Sequence, residues 1–188
     1  MKISLFVFVA ALMPFMCLAE RTERFNSYEA KLFLAQAKQR GHQLTFVPDE
    51  PGKETGMWRI TWDGGKNIAE LLIPNGFKLP DFRQKIRIEM DIECAKGTNL
   101  LSADLRLLDS TGEVCALNSR RGNRYTGKIT AVWEFTKDQN FKMAWGKNVN
   151  HKLDLPAAIT NWAFLIQGNK GEITLKELRI FTDPQPAK

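Results

Sequence analysis

The stretch that decides the fold is GEITLKELRIF, residues 171–181. Ile173 and Leu175 alternate with polar neighbours, Lys176-Glu177 interrupts, and Leu178 and Ile180 resume the alternation. A period of two sets one side of an extended chain against a core and the other in solvent. Two successive charged residues between apolar pairs predict a bulge or a change of face there. The natural partner is QKIRIEMDIEC, residues 84–94, where Ile86, Ile88, Met90, Ile92 and Cys94 alternate with Lys85, Arg87, Glu89, Asp91 and Glu93. These two long strands read as the spine of a β-sandwich.

Outward from the spine, short strands and turns follow one another. MWRITW (57–62) sets Trp58, Ile60 and Trp62 on one face, Asp63-Gly64-Gly65 turns the chain, and Pro74-Asn75-Gly76 reads as another turn after the apolar run 69–73. Residues 101–108 alternate Ala103, Leu105 and Leu107 with Ser102, Asp104 and Arg106, and Asp109-Ser110-Thr111-Gly112 joins them to 113–117 as a hairpin. Ile129, Ala131, Trp133 and Phe135 alternate, as do Trp162, Phe164 and Ile166. NSRRGNR (118–124) and GKNVNHKLDL (146–155) read as polar loops. Ahead of the strands, Asn26-Ser27 with Glu29 and the later Gly41 predict one helix over 27–40, with Tyr28, Leu32 and Ala35 at helical spacing.

The first residues have the form of a secretory signal. Lys2 precedes a nearly continuous apolar run, and Cys17-Leu18-Ala19 ends it with cleavage expected after Ala19; a retained anchor or lipidation at Cys17 are the alternatives. The run is short for a membrane span. The domain plan is therefore signal 1–19, leader and helix 20–41, sandwich 42–182 and a disordered tail 183–188, in a secreted or periplasmic protein with no transmembrane segment after cleavage. Loss of Lys2 takes the net charge from +6 to one less, +5. Basic and acidic residues alternate without a dense cationic block, which argues against nucleic acid as a partner. Of the 3 cysteines, Cys94 and Cys115 remain after cleavage. They either form one disulfide, closing a loop of about 20 residues and contributing about 3 kcal/mol, or sit as buried thiols.

The long central strand, the hairpin LRLLDSTGEV (105–114), WAFLIQG (162–168) and the closing GEITLKELRIF together resemble the galactose-binding-like jelly rolls. These are β-sandwich carbohydrate-binding modules of bacterial glycoside hydrolase systems. The resemblance covers about residues 43–181 and is one of pattern. It implies an all-β jelly-roll β-sandwich of two antiparallel sheets, here with the one short N-terminal helix. It also implies sugar binding on the concave sheet face or along one loop rim, and a separate glycoside hydrolase as a partner. Many members carry an Asp-Asp or Asp-Glu pair in the last strand that helps to hold a structural calcium. Lys176-Glu177 stands there instead, so calcium is left with Glu177 and loop carbonyls, and no other cofactor is expected.

Sugars bind through aromatic faces and through hydrogen bonds from amide, carboxylate and guanidinium groups. Trp145, ahead of a loop rich in amides, is the best surface aromatic, with Asn148 and Asn150 beside it; the plainer reading is a tryptophan that pins the loop to the core. Tyr125 follows the basic loop and is assigned to the same rim, or is an ordinary strand-start tyrosine. Arg87, Asp104, Arg106 and Gln167, with Asn161, make a polar face if their strands are neighbours; alternating charges also stabilise an ordinary solvated sheet. Trp58, Trp62, Trp133 and Trp162 read as core. Catalysis has little support: His42 and His151 form no HExxH, and no GxSxG elbow, phosphate loop or metal-ligand spacing is present. The leading expectation is an exported, non-catalytic carbohydrate-binding module that binds a polysaccharide or glycan. The alternatives are a structural or protein-interaction domain of the cell envelope and, third, a glycan-active enzyme.

Overall fold

The computed structural model describes residues 21–25, 36–37, 42–53, 56–64, 68–82, 84–119, 125–168 and 170–183. Among them there are strands and no helix. Two antiparallel sheets face each other across one core. Sheet A has the order β3(His42–Pro48), β4(Gly56–Asp63), β12(Lys170–Thr182), β6(Lys85–Cys94), β9(Gly127–Thr136), with β1(Arg21–Phe25) also paired to β12. Sheet B has the order β10(Met143–Gly146), β8(Glu113–Asn118), β7(Asn99–Leu108), β11(Ala158–Gln167), β5(Ile68–Lys78), β2(Gln36–Ala37).

β6 and β12 pair as their alternation predicts, and the bulge falls at Lys176-Glu177. Leu175 opposes Ile92 and Leu178 opposes Met90, so β12 spends one more residue than β6 between the two pairs. Leu175 and Leu178 are both fully buried, which is possible only because the extra residue leaves two charged side chains in succession on the outer side. Beyond the bulge, β12 exchanges its neighbour β4 for β1.

The inward faces meet in a core whose bulk comes from Trp133, Trp162, Phe135 and Phe164, all buried, with Trp58 and Trp62 behind them. Trp133 sits in sheet A, and its indole N–H donates to the Ala103 carbonyl of sheet B at 3.1 Å, tying the layers together through a buried hydrogen bond.

Several expectations change. Arg21–Phe25, read as a leader, is a strand. Of the span assigned to a helix, Gln36–Ala37 pair with Leu72 and Leu71 as a strand, and the rest lies outside the described residues. So do the signal segment, the basic loop 120–124 and the tail beyond Asp183. Pro74-Asn75-Gly76 does not turn the chain: β5 runs through it, with the irregularity absorbed opposite Ile159 and Asn161. Cys94 and Cys115 form no disulfide; they are buried free thiols in different sheets. Burial pushes the Cys94 thiol up to about 11; Cys115 is pushed to about 12 by burial and by the carboxylates of Glu113, Asp109 and Asp154.

Two outcomes follow. Deleting Glu177 would leave Leu175 and Leu178 two residues apart, so that both still face inward in a regular ladder opposite Ile92 and Met90, and that variant is expected to fold with the bulge removed. Glu177→Ala, which keeps the register, is expected to lower the urea-derived stability by less than about 1 kcal/mol. Neither Cys94 nor Cys115 is expected to react with a thiol reagent at pH 8 until denaturant is added, when both should titrate.

A candidate binding face on sheet B

The site is built by the register of sheet B. Trp145 opposes Val114, and Val114 opposes Leu108, so these three make one row across the outward face. The next row runs Met143, Ala116, Arg106, Asn161, Leu72, and the one after it Asn118, Asp104, Ala163, Glu70. Ala116 and Ala163 are small, and together with Ser102 they keep the floor low between longer neighbours. From β10 to β5 the face crosses four strand spacings, about 19 Å.

Trp145 is 43% exposed, whereas Trp58, the next most exposed tryptophan, is at 8%. Leu108 at 39% and Val149 at 44% are the other exposed large apolar residues at this end. The Arg106 guanidinium lies 5.6 Å from the centroid of the Trp145 ring, and its Nη1 donates to Glu70 Oε1 at 2.7 Å. One arginine thus links an aromatic on the edge strand to a carboxylate two strands beyond it. Asn161, beside Arg106 in register, is 4% exposed, and its Oδ1 has no hydrogen-bond partner. A buried acceptor left unmet is costly, so its retention calls for a reason.

Trp145 owes its position to buried carboxylates. Gly146, with φ of 111°, passes so close to the β7–β8 turn that a Cβ would meet the Gly112 carbonyl oxygen at 2.6 Å, and Lys147 N donates to that same oxygen at 3.0 Å. Glu113, fully buried, accepts from the backbone N–H groups of Asn150 and His151, both at 2.8 Å. Asp109 Oδ1 accepts from Thr111 N, Thr111 Oγ1 and Glu113 N at 2.9 Å each, and Oδ2 from Asp154 N at 3.2 Å. Burial alone would raise the Asp109 carboxyl, but these hydrogen bonds outweigh it and hold the group below the ordinary carboxylate range.

Of the residues singled out in the sequence, Trp145, Arg106, Asp104 and Asn161 come together on this face. Asn148 and Asn150 flank it in the following loop, where their side chains build the loop itself: Asn148 Nδ2 donates to the Thr111 carbonyl, and Asn150 bonds Asp154 and Lys152 N. Gln167 stands at the far end of β11, bonded to Asn99. Tyr125 bridges Leu100 at that same far end, packed against the core. Since β7 runs from Asn99 to Leu108, both lie about 30 Å along the sheet from the Trp145 row. Arg87 is on the other sheet, its guanidinium 4.3 Å over the Phe181 ring. The face around Arg87 is laced with ion pairs: Arg179 bonds Asp91 through both Nη atoms at 2.7 and 2.9 Å, Glu89 at 3.1 Å and Glu177 at 2.8 Å. Hydrogen bonding from Arg179 holds the Asp91 carboxyl below its ordinary range against the opposing effect of burial. Glu70 was missed, although one signal for it existed: it is the single charge in the apolar run IAELLI.

No family model matches the chain, and no curated protein does. Solved structures match across most of its length. The family 11 carbohydrate-binding module of cellulosomal cellulase Lic26A-Cel5E of Clostridium thermocellum is 12% identical, with 90% of this chain and 98% of that chain covered and a TM-score of 0.53. The same family's module from Clostridium thermocellum in complex with a β-1,3-1,4-mixed-linked tetrasaccharide is 13% identical, covering 88% and 98%, with a TM-score of 0.52. The CBM22-1 xylan-binding domain from Paenibacillus barcinonensis Xyn10C is 9% identical, covering 88% and 95%, with a TM-score of 0.50.

Because Asp109 is depressed in the folded state, the stability it contributes is present above its ordinary pKa of about 3.9 and is lost as pH falls through the lower folded value. A thermal-unfolding series from pH 6 to pH 2.5 is expected to fall steeply below about pH 4. Asp109→Asn should be less stable at pH 6 and show a shallower fall, the remainder coming from Asp91 and Glu93, which Arg179 and Lys176 hold below the ordinary carboxylate range. The chain has the jelly-roll β-sandwich fold of carbohydrate-binding modules.

Proposed function

We propose that the protein is an exported, non-catalytic carbohydrate-binding module whose ligand lies across the outward face of sheet B. The observation that carries this reading is Trp145, the one tryptophan of five held at the surface, beside a floor of Arg106, Asp104, Asn161 and Glu70. An aromatic face covers the C–H surface of a sugar ring, and a concentrated set of polar groups meets its hydroxyls. The neighbours in fold support a polysaccharide, since one is described as xylan-binding and another holds a mixed-linked glucan fragment. Export rests on the apolar run ending in Cys17-Leu18-Ala19. A partner glycoside hydrolase acting on the same polysaccharide fits such a module. Calcium is not needed in this reading: Lys176 is engaged with Glu93 and Glu177 with Arg179.

A second reading, a protein-interaction domain, draws on the three exposed apolar side chains Trp145, Leu108 and Val149 at one end of the face. Affinity electrophoresis against xylan, mixed-linkage β-glucan and agarose, with calcium and with chelator, separates the two. Retardation is expected with at least one polysaccharide, unchanged by chelator. Trp145→Ala should weaken it by about tenfold or more, as for a central aromatic contact, with no change in thermal midpoint. A blank across all three and across acidic polysaccharides would reject the sugar reading in favour of protein interaction.

A further inference from the structure

The edges of the two sheets are guarded unequally. Among the described strands, β2 and β10, the outer strands of sheet B, have 2 and 4 residues, and β3 ends at Pro48. β9, the remaining edge, runs 10 residues against β6 with no register shift and no proline. No other described strand lies beside it. Long regular edges attract further strands, and proteins ordinarily blunt them with prolines, bulges or inward charges. β9 has none of these.

The ladder fixes which groups face the open side. Lys137 N donates to the Gln84 carbonyl at 2.9 Å, one step beyond the pairing of Thr136 with Lys85. In an antiparallel pair alternate residues bond the same neighbour, so the odd-numbered residues of β9 are committed to β6. Lys128, Thr130, Val132 and Glu134 therefore direct their backbone N–H and C=O away from it. Their side chains are exposed, that of Val132 to 41%. A cavity of about 270 Å³ runs along residues 129–132, with Leu100 and Tyr125 on its far side.

The charges on this edge are self-complementary. In register, Lys128 faces Glu93 of β6, and Glu134 faces Arg87 while also holding Lys85 at 2.9 Å. A second copy set antiparallel about a two-fold axis through Ala131 brings its Glu134 opposite Lys128 and its Val132 opposite Thr130. The row across four strands then reads Glu93, Lys128, Glu134, Arg87, with the sign alternating throughout. Shifting the axis by one residue either way loses both charge pairs. Even-numbered residues meet even-numbered residues, so each open N–H finds a C=O. β8 pairs only with the later part of β7, residues 104–108, whereas the cavity lies at Leu100. The axis thus sets the projecting end of each copy against the recessed end of the other.

We infer that β9 is a self-association edge, where two copies of the chain pair β9 with β9 about Ala131 and join their A sheets into one. No residue of the outward face of sheet B takes part, so the inference stands apart from the sugar reading. A dimer of this kind carries two such faces, and its avidity for a long polymer exceeds that of one copy.

Sedimentation velocity over a concentration series is the test. A reversible monomer–dimer equilibrium is expected, weakened by added salt. Val132→Pro removes an N–H that β6 does not use, at an edge position that tolerates proline. It should abolish the dimer and leave the thermal midpoint unchanged. Lys128→Glu and Glu134→Lys should each weaken dimerisation by about tenfold or more, because each sets like charges opposite one another twice. An equal mixture of those two variants should restore it, since every charged pair across the mixed edge is again opposite in sign. A monomer at every concentration, a dimer that survives Val132→Pro, or a mixture no tighter than either variant alone would each overturn the inference.

Discussion

The structure depends on the pairing of β6 with β12. Both strands are long, both alternate, and each contributes an unbroken inward row, so their ladder fixes the middle of sheet A. The bulge at Lys176-Glu177 lets the ladder continue while β12 changes its other neighbour from β4 to β1. Leu175 and Leu178 are three positions apart, and without the bulge they could not both face the core. The outer side of this pairing is occupied by Arg179 and its three carboxylates, which stabilise the sheet and leave little of it to bind anything else.

The proposed binding face is therefore on the opposite layer. Sheet B has the same inward packing but a different outward surface: small residues in the floor, one arginine spanning the middle, a buried asparagine with an unmet acceptor, and an exposed tryptophan on the edge strand. Edge strands need something to hold them, and here it is the pair of buried acids Asp109 and Glu113, whose oxygens are filled by backbone N–H groups of the turn and of the loop after Trp145. Stability and the proposed site are thus coupled through two buried carboxylates.

Much of this was legible in the chain. Alternation identified the spine, the tryptophans of the core and the face on which Asp104 and Arg106 stand, and the charged pair at Lys176 marked the bulge. Alternation reports which side of a strand is buried, however, and not which strand lies next to it. Arg87 and Arg106 share a face only if β6 and β7 are neighbours, and these strands belong to different sheets. The same limit put Gln167 and Tyr125 with Trp145 when the length of β7 separates them. Cys94 has inward register in its strand, which fits a disulfide and a buried thiol equally, and the register carries no measure of its distance from Cys115; in the fold both are buried free thiols. Asn161 was visible as polar, but its missing partner is a property of the packed sheet.

Oxidative footprinting of the tryptophans tests the central claim most directly. Trp145 is 43% exposed and the other four are at 8% or less, so brief oxidation of the free protein should modify Trp145 almost alone. With a retarding polysaccharide at saturation, Trp145 should be protected while the slow background at the other four is unchanged. Oxidation of Trp145 at an undiminished rate in the bound protein would contradict the account and place the ligand elsewhere on the molecule.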